Sequence, residues 1–77
     1  MVNSLPPNVV QLKPGATGTI AYFTNEALGS KLLDIGVKPG AQLQVVRKSP
    51  FGGSWYVKVD RQRIALRKQE LACIILK

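Results

Sequence analysis

The sequence predicts a mainly β protein, a small barrel of about five short strands with a short helix inserted between the first and second strands. Three observations carry that expectation. Apolar and polar residues alternate with period two through the second half: Leu43 and Val45 against Gln42 and Gln44, then Trp55, Val57 and Val59 against Tyr56, Lys58 and Asp60. Pro-Gly and Gly-Gly pairs cut the chain into short segments. One segment, between residues 24 and 37, carries apolar residues at helical spacing instead.

The 77 residues fit one domain. A chain of this size buries only about 60% of the surface it exposes unfolded. It can hold one modest core and has little room for a deep cleft. Residues 1–8, broken by Pro6 and Pro7, read as a flexible arm, and residues 9–77 as a single domain. After an apolar lead-in, Val9 to Leu12, Lys13-Pro14-Gly15 fits a type II turn, with glycine where φ must be positive. The first strand follows from about Thr17 to Phe23, and alternation sends either Tyr22 or Phe23 to the core side.

In "TNEALGSKLLDIGV", Leu28, Leu32 and Ile35 share a helical face, and Thr24 or Asn25 can cap the start. Gly36 supplies the left-handed stop, with Val37 folding back as in a Schellman motif. Gly29 weakens the middle by about 1 kcal/mol relative to alanine. Either something approaches closely there or the helix begins nearer Ser30. Two further strands, from Ala41 and from Trp55, are joined by a hairpin around Gly52-Gly53, with Trp55 pointing inward. A tight turn near Arg61-Gln62 leads to a strand with Ile64 and Leu66 on one side. "RKQELA" reads as one helical turn and "CIIL" as the last strand.

One frame occurs twice. "LKPGATGTI" (12–20) and "VKPGAQLQV" (37–45) share apolar-Lys-Pro-Gly-Ala and an apolar residue five positions past the glycine. The flanks differ and no third copy exists, so reuse of one strand-entry turn explains it better than an internal repeat.

Composition excludes more than it assigns. Without histidine, acid–base work near neutral pH falls to other groups, and Glu26, Asp34, Asp60 and Glu70 lie in four different segments. No Ser-His or Cys-His couple can form, and "FGGS" lacks the continuation of a nucleotide-binding loop. The chain reads as a non-enzyme, with no catalytic residue, no cofactor and no metal site: one cysteine and four scattered carboxylates are a poor ligand set. Cys73, between Ala72 and Ile74, reads as a core residue rather than a reactive thiol. No signal peptide or membrane span is legible, which makes the cytoplasm the expected location, without membrane insertion.

A net charge of +7 favours an acidic partner. The candidate contact residues are Leu28, Arg47, Phe51, Tyr56, Arg63 and Arg67. If Leu28, Phe51 and Tyr56 are exposed and contiguous, they make an apolar patch in a basic rim, as interaction sites do. If Leu28 is core and Phe51 plugs the barrel end, the docking site lies elsewhere. A single-strand nucleic-acid binder is the alternative, but a stacking platform wants two or three aromatics on neighbouring strands. Adsorption to a membrane surface ranks last, and the sequence leaves homo-oligomerisation open.

The ordered motifs "LKPGATGTI", "KLLDIGVKPGAQLQVV" and "KSPFGGSWYVKVDRQRIALRKQELACI" resemble the FeoA family of small bacterial ferrous-iron transport accessories, over about Leu12 to Ile74. The shared features are Pro14-Gly15, Leu32 to Gly36 with Pro39-Gly40, Pro50 to Gly53, and Ala65 to Lys68. Arg61 departs from the family, which often has glycine at that turn. The resemblance implies an SH3-like barrel with an inserted helix. It also implies docking on FeoB, a membrane Fe(II) transporter with a cytoplasmic GTP-binding domain, and so a location at the inner face of the membrane through that partner. Arg47, Arg61, Arg63 and Arg67 could each serve such a GTPase as an arginine finger, and nothing in the sequence singles one out. The same barrel resembles the C-terminal domain of DtxR-type iron-dependent repressors, whose DNA-reading and metal-binding domains have no counterpart in these 77 residues.

Overall fold

A computed structural model describes residues 9–51 and 53–77. The expected arm, residues 1–8, and Gly52 of the hairpin lie outside the described residues. Among those described, a 3-10 turn (Val9–Gln11) leads into β1 (Thr17–Phe23), α1 (Glu26–Asp34), β2 (Gln42–Arg47), β3 (Trp55–Val59), β4 (Gln62–Leu66), α2 (Lys68–Ala72) and β5 (Ile74–Leu76). The strands form one antiparallel sheet in the order β4-β3-β2-β1-β5. The helix stands between the first two strands, as the apolar spacing predicts.

The two Lys-Pro-Gly-Ala frames explain how β1 and β2 meet. Each is a turn closed by a backbone bond from the alanine N–H to the lysine carbonyl, 3.0 Å at Ala16 and 3.2 Å at Ala41. Gly15 and Gly40 sit at φ +91° and +92°, the left-handed region that a type II turn demands. Each frame then grips the other's strand. The N–H of Gly15 donates to the carbonyl of Val45 (2.6 Å), and that of Val45 to Ala16 (3.1 Å). In mirror order, Gly40 donates to Ile20 (2.8 Å) and Ile20 to Ala41 (2.9 Å). Ile20 and Val45 are the apolar residues five places past each glycine, and both are fully buried. The repeated frame is thus a local two-fold pairing centred near Gly18 and Leu43, which face each other in the ladder.

β1 divides its pairing. Thr17 to Thr19 pair with β2, and Ile20 to Phe23 pair with β5 across an irregularity between Ile20 and Tyr22. Close approach to β5 is possible because residue 18 is glycine: a Cβ there would stand 2.9 Å from a methyl of Leu76. No ladder joins β4 to β5 among the described residues, so the small barrel is open between them. α1 packs against β1. Gly36 just past its end stands beside the Gln62 side chain, and its Leu28 and Lys31 share a groove with Arg67 and Gln69.

Local chemistry fixes α1. Asn25 caps it, its Oδ1 accepting from the Leu28 N–H at 3.0 Å. The Schellman bonds are both present, Val37 N–H to Leu32 carbonyl (2.9 Å) and Gly36 N–H to Leu33 carbonyl (3.1 Å). Gly29 is buried against Phe23, whose Cβ stands 3.2 Å from where a Cβ of residue 29 would be. Close approach is therefore the reason for this glycine, and the helix starts at Glu26. Phe23 is the core-side member of the aromatic pair and Tyr22 the exposed one.

The core is aliphatic, built on Ile20, Leu32, Leu43, Val45, Val57, Leu71 and Ile74, with Val9 sealing one end beside α2. Trp55 joins it at 6% exposure, and the Lys48 ammonium sits 4.6 Å from its ring centre, a cation–π contact at the root of the β2–β3 loop. Cys73 caps α2 rather than opening β5, and it is buried as expected. The β3–β4 turn lies at Asp60-Arg61, one residue earlier than its expected place. Among the described non-glycine residues, only Asp60 has positive φ (54°), a conformation that aspartate tolerates. The irregular geometry thus falls on Asp60 and leaves Arg61 free to differ from glycine. Asp60 also bonds Gln42 twice, through its own N–H and its Oδ1.

Alanine at Gly15 or Gly40 would meet no atom within 4 Å, so its cost is backbone strain alone. Gly15→Ala and Gly40→Ala should each destabilise the fold by about 1–2 kcal/mol, lowering the urea midpoint at unchanged slope. Leu32→Ala, which empties core volume, should cost about 2–5 kcal/mol in the same measurement.

Candidate docking surface

The outward face of β2, β3 and β4 carries the clearest candidate. Ladder pairing sets Arg47 opposite Tyr56, Tyr56 opposite Ala65, and Lys58 opposite Arg63. Strict alternation from Leu43 and Val45 would turn Arg47 inward. A bulge between Val45 and Arg47 inserts Val46 as an extra residue, so that both Val46 and Arg47 look outward opposite Tyr56. Val46, Arg47, Tyr56, Val57 and Arg63 together line a groove of about 240 Å³. Tyr56 is 53% exposed and Val46 42%, an unusual state for an aromatic ring and a valine side by side. Ala65 next to Tyr56 is too small to screen the ring from the β4 side.

Charge on this face is mostly of one sign. Arg47, Lys58 and Arg63 lie on it; Glu26 and Asp34 are on α1 and Glu70 on α2, while Asp60, in the β3–β4 turn, shares a groove with Lys58 at the far end. Asp60 and Glu70 are engaged with backbone, Glu70 accepting from the Arg67 N–H at 2.9 Å. Among the described residues no ion pair neutralises Arg47 or Arg63.

The other expected contact residues fall in different places. Leu28 is half-buried, packs against the core, and meets Arg67 in a separate, more polar groove with Lys31, Gln69 and Glu70. Phe51 is 95% exposed at the tip of the β2–β3 loop and plugs nothing. A second shallow groove, about 350 Å³, runs between α1 and β1, lined by Tyr22, Phe23, Gly29, Leu33 and Pro39 among others. Val46 already faces outward by alternation from Leu43 and Val45, but the sequence reading left it out because an exposed valine on a strand is not by itself a signal. The outward turn of Arg47 depends on the bulge, which leaves no mark in a two-residue alternation.

Among the described residues no group of three or more His, Cys, Asp or Glu side chains is placed to hold a metal ion. Burial pushes the Cys73 thiol above its ordinary range, with the nearby Glu70 carboxylate adding to the effect, although a backbone hydrogen bond pulls the other way. Its Sγ donates to the Glu70 carbonyl at 3.1 Å. A raised thiol value keeps the neutral form in the folded state. Its stabilising contribution is complete below the thiol's unfolded value and fades as pH climbs through the folded one. No described helix is long and apolar enough to cross a membrane.

Two expectations follow. Cys73 in the native protein should react with a disulfide reagent at mildly alkaline pH at least about tenfold more slowly than in denaturant. Stability measured by urea titration should fall as the pH is raised through the alkaline range, and Cys73→Ala should flatten that dependence.

Comparison with known proteins places these features. The FeoA domain family model matches residues 8–77. The solution structure of FeoA from Chlorobium tepidum is 25% identical and covers 91% of this chain and 68% of its own, with a TM-score of 0.80. FeoA from Stenotrophomonas maltophilia, complexed with zinc, is 22% identical over 92% of this chain and 89% of its own, with a TM-score of 0.76. It is described as a prokaryotic SH3 domain protein and suggested as a bacterial ferrous-iron transport activating factor. A manganese-dependent transcriptional repressor shares the fold at 19% identity and a TM-score of 0.85, and this chain matches 37% of its length. The five-stranded sheet with its inserted helix is therefore an SH3-like domain, and the chain belongs to the FeoA family, which is linked to ferrous-iron transport.

Proposed function

We propose that this protein is a non-enzymatic accessory of bacterial ferrous-iron uptake that docks on the cytoplasmic GTP-binding part of a FeoB membrane transporter. The observation that carries the reading is the FeoA family match across residues 8–77. The surface supports it. A solvent-facing tyrosine and valine between arginines that make no ion pair among the described residues give a partner something to bury and something to pair with, which is how interface cores and rims are built. Acting by contact also suits a chain whose described residues group no metal ligands, since the accessory then never handles the ion. On this reading the protein works at the inner face of the membrane, held there by its partner.

A nucleic-acid role draws less support. Tyr56 is the only aromatic on the outward face of β2, β3 and β4, while Tyr22 lines the α1–β1 groove and Trp55 is core. Sequential base stacking wants two or three rings on adjacent strands.

The immobilised chain should capture the soluble GTP-binding domain of a FeoB transporter from solution, in at least one of its nucleotide-free, GDP-bound or GTP-analogue-bound forms. Capture should weaken as salt is raised, as expected for a basic surface. No capture in any of the three forms at low salt would end this proposal.

A further inference from the structure

We infer that the bulged groove on the β2–β3–β4 face is a receptor for an extended acidic segment of a protein partner, one apolar side chain lying on Tyr56 and Val46 with carboxylates on either side meeting Arg47 and Arg63. The inference rests on the docking role just proposed and gives it a face and a ligand chemistry.

Three features of the groove select this occupant. First, its floor is apolar and its ends are guanidinium groups, with Arg47 on β2 and Arg63 on β4 flanking the Tyr56 and Val46 side chains. A guanidinium presents a planar fork of donors that matches a carboxylate, and neither arginine spends it on an ion pair among the described residues. Second, Lys58 extends the positive strip and no carboxylate lines this groove, while Asp60, farther along the face beside Lys58, is held by the Gln42 N–H, so the groove would repel a basic competitor and draw an acidic one. That charge also disfavours a second copy of this chain, which carries +7 itself. Third, Val46 offers an aliphatic contact where a base-stacking surface would place a ring, which favours a peptide side chain over a nucleobase. The α1–β1 groove lacks this combination: Glu26 lines it and no cation does.

The bulge is what assembles the groove. Without the extra residue, Arg47 would point to the core side and Val46 would stand alone opposite Tyr56. The one-residue insertion gives β2 two outward side chains at one level, an apolar contact and a charge together.

The test is a titration of the isotope-labelled full chain, followed by amide chemical shifts. The probe is a blocked synthetic peptide in which glutamate alternates with leucine. A glutamine-for-glutamate peptide and an oligothymidylate serve as comparators. Shifts should centre on Val46, Arg47, Tyr56, Arg63 and Ala65, and the glutamine peptide should bind more weakly. Arg47→Glu with Arg63→Glu, and separately Tyr56→Ala, should each weaken binding by about tenfold or more. Lys13→Glu with Lys38→Glu makes the same charge change on exposed residues elsewhere and should weaken it less. The spectra themselves report whether each variant folds. Shifts centred on the α1–β1 groove, equal weakening by the two double variants, or tighter binding of oligothymidylate at the same residues would each overturn the assignment. The transporter capture assay separates this inference from the role beneath it. Capture retained by Arg47→Glu with Arg63→Glu removes this face as the docking site and leaves the accessory role. Capture absent from the unaltered chain, with the acidic peptide still bound in the groove, removes the role and leaves the site.

Discussion

The rest of the structure depends on the reciprocal clamp between the two Lys-Pro-Gly-Ala frames. Each left-handed glycine directs its own N–H to the other frame's strand, and each strand answers through the fully buried residue five places on. The clamp brings together segments 25 positions apart in sequence, read from Gly15 and Gly40. The intervening α1 is thereby forced to leave and rejoin the sheet at adjacent points. A helix held at both ends in that way packs against β1 and sends its Leu32 into the core. The closure entropy of the loop is offset by four backbone bonds and two buried aliphatic side chains, all made at one place. A small domain has few alternatives, because it lacks the volume for a core that would hold these elements by packing alone.

Fixing β1 against β2 also determines what β2 can present. Its first half is locked in register by the clamp, with Gln42, Leu43 and Gln44 paired to β1 and Leu43, Gln44 and Val45 paired to β3. Register is released only beyond Val45, the last clamped residue, and the bulge sits there. Structural and presented residues thus divide along a single strand. Leu43 and Val45 belong to the core, and Val46 and Arg47 to the solvent face. The Lys48 ammonium over the Trp55 ring then ties down the chain where it leaves the sheet, so the bulge is bounded on one side by the clamp and on the other by a cation–π contact.

Much of this was legible in the sequence, and the limits have physical causes. The Pro-Gly turns, the Asn25 cap, the Gly36 stop and the inward Trp55 all follow from local stereochemistry, which is written in neighbouring residues. Whether the outer strands pair was not legible, because alternation identifies strands without saying whether the last edges meet. Two choices left open by the residues were resolved by contact. Gly29 is small because Phe23 presses on it, and Phe23 rather than Tyr22 turns inward for the same reason. At the candidate site, Tyr56 and Arg63 follow from simple alternation. Val46 also follows from alternation, whereas Arg47 depends on a register shift, a relation between strands that no single strand records. Leu28 carried an ambiguous signal from the start, since the same helical face that makes it a contact candidate also directs it toward the core.

The charge distribution bears on why such a face exists. Eleven cations against four carboxylates oppose compaction by mutual repulsion, and among the described residues no ion pair offsets it. Two of the four carboxylates serve the backbone, Asp60 at the β2–β3–β4 corner and Glu70 at the start of α2, and so add order without neutralising arginine. Stability must then come from the aliphatic core and the hydrogen-bonded clamp, and the surface charge acts as a standing cost to the isolated domain. An acidic partner would relieve that cost on binding, so the same positive field that weakens the free fold strengthens the complex. A basic surface of this kind contributes to association through the field it lends to an approaching carboxylate, and the bulged groove is where that field coincides with exposed apolar surface.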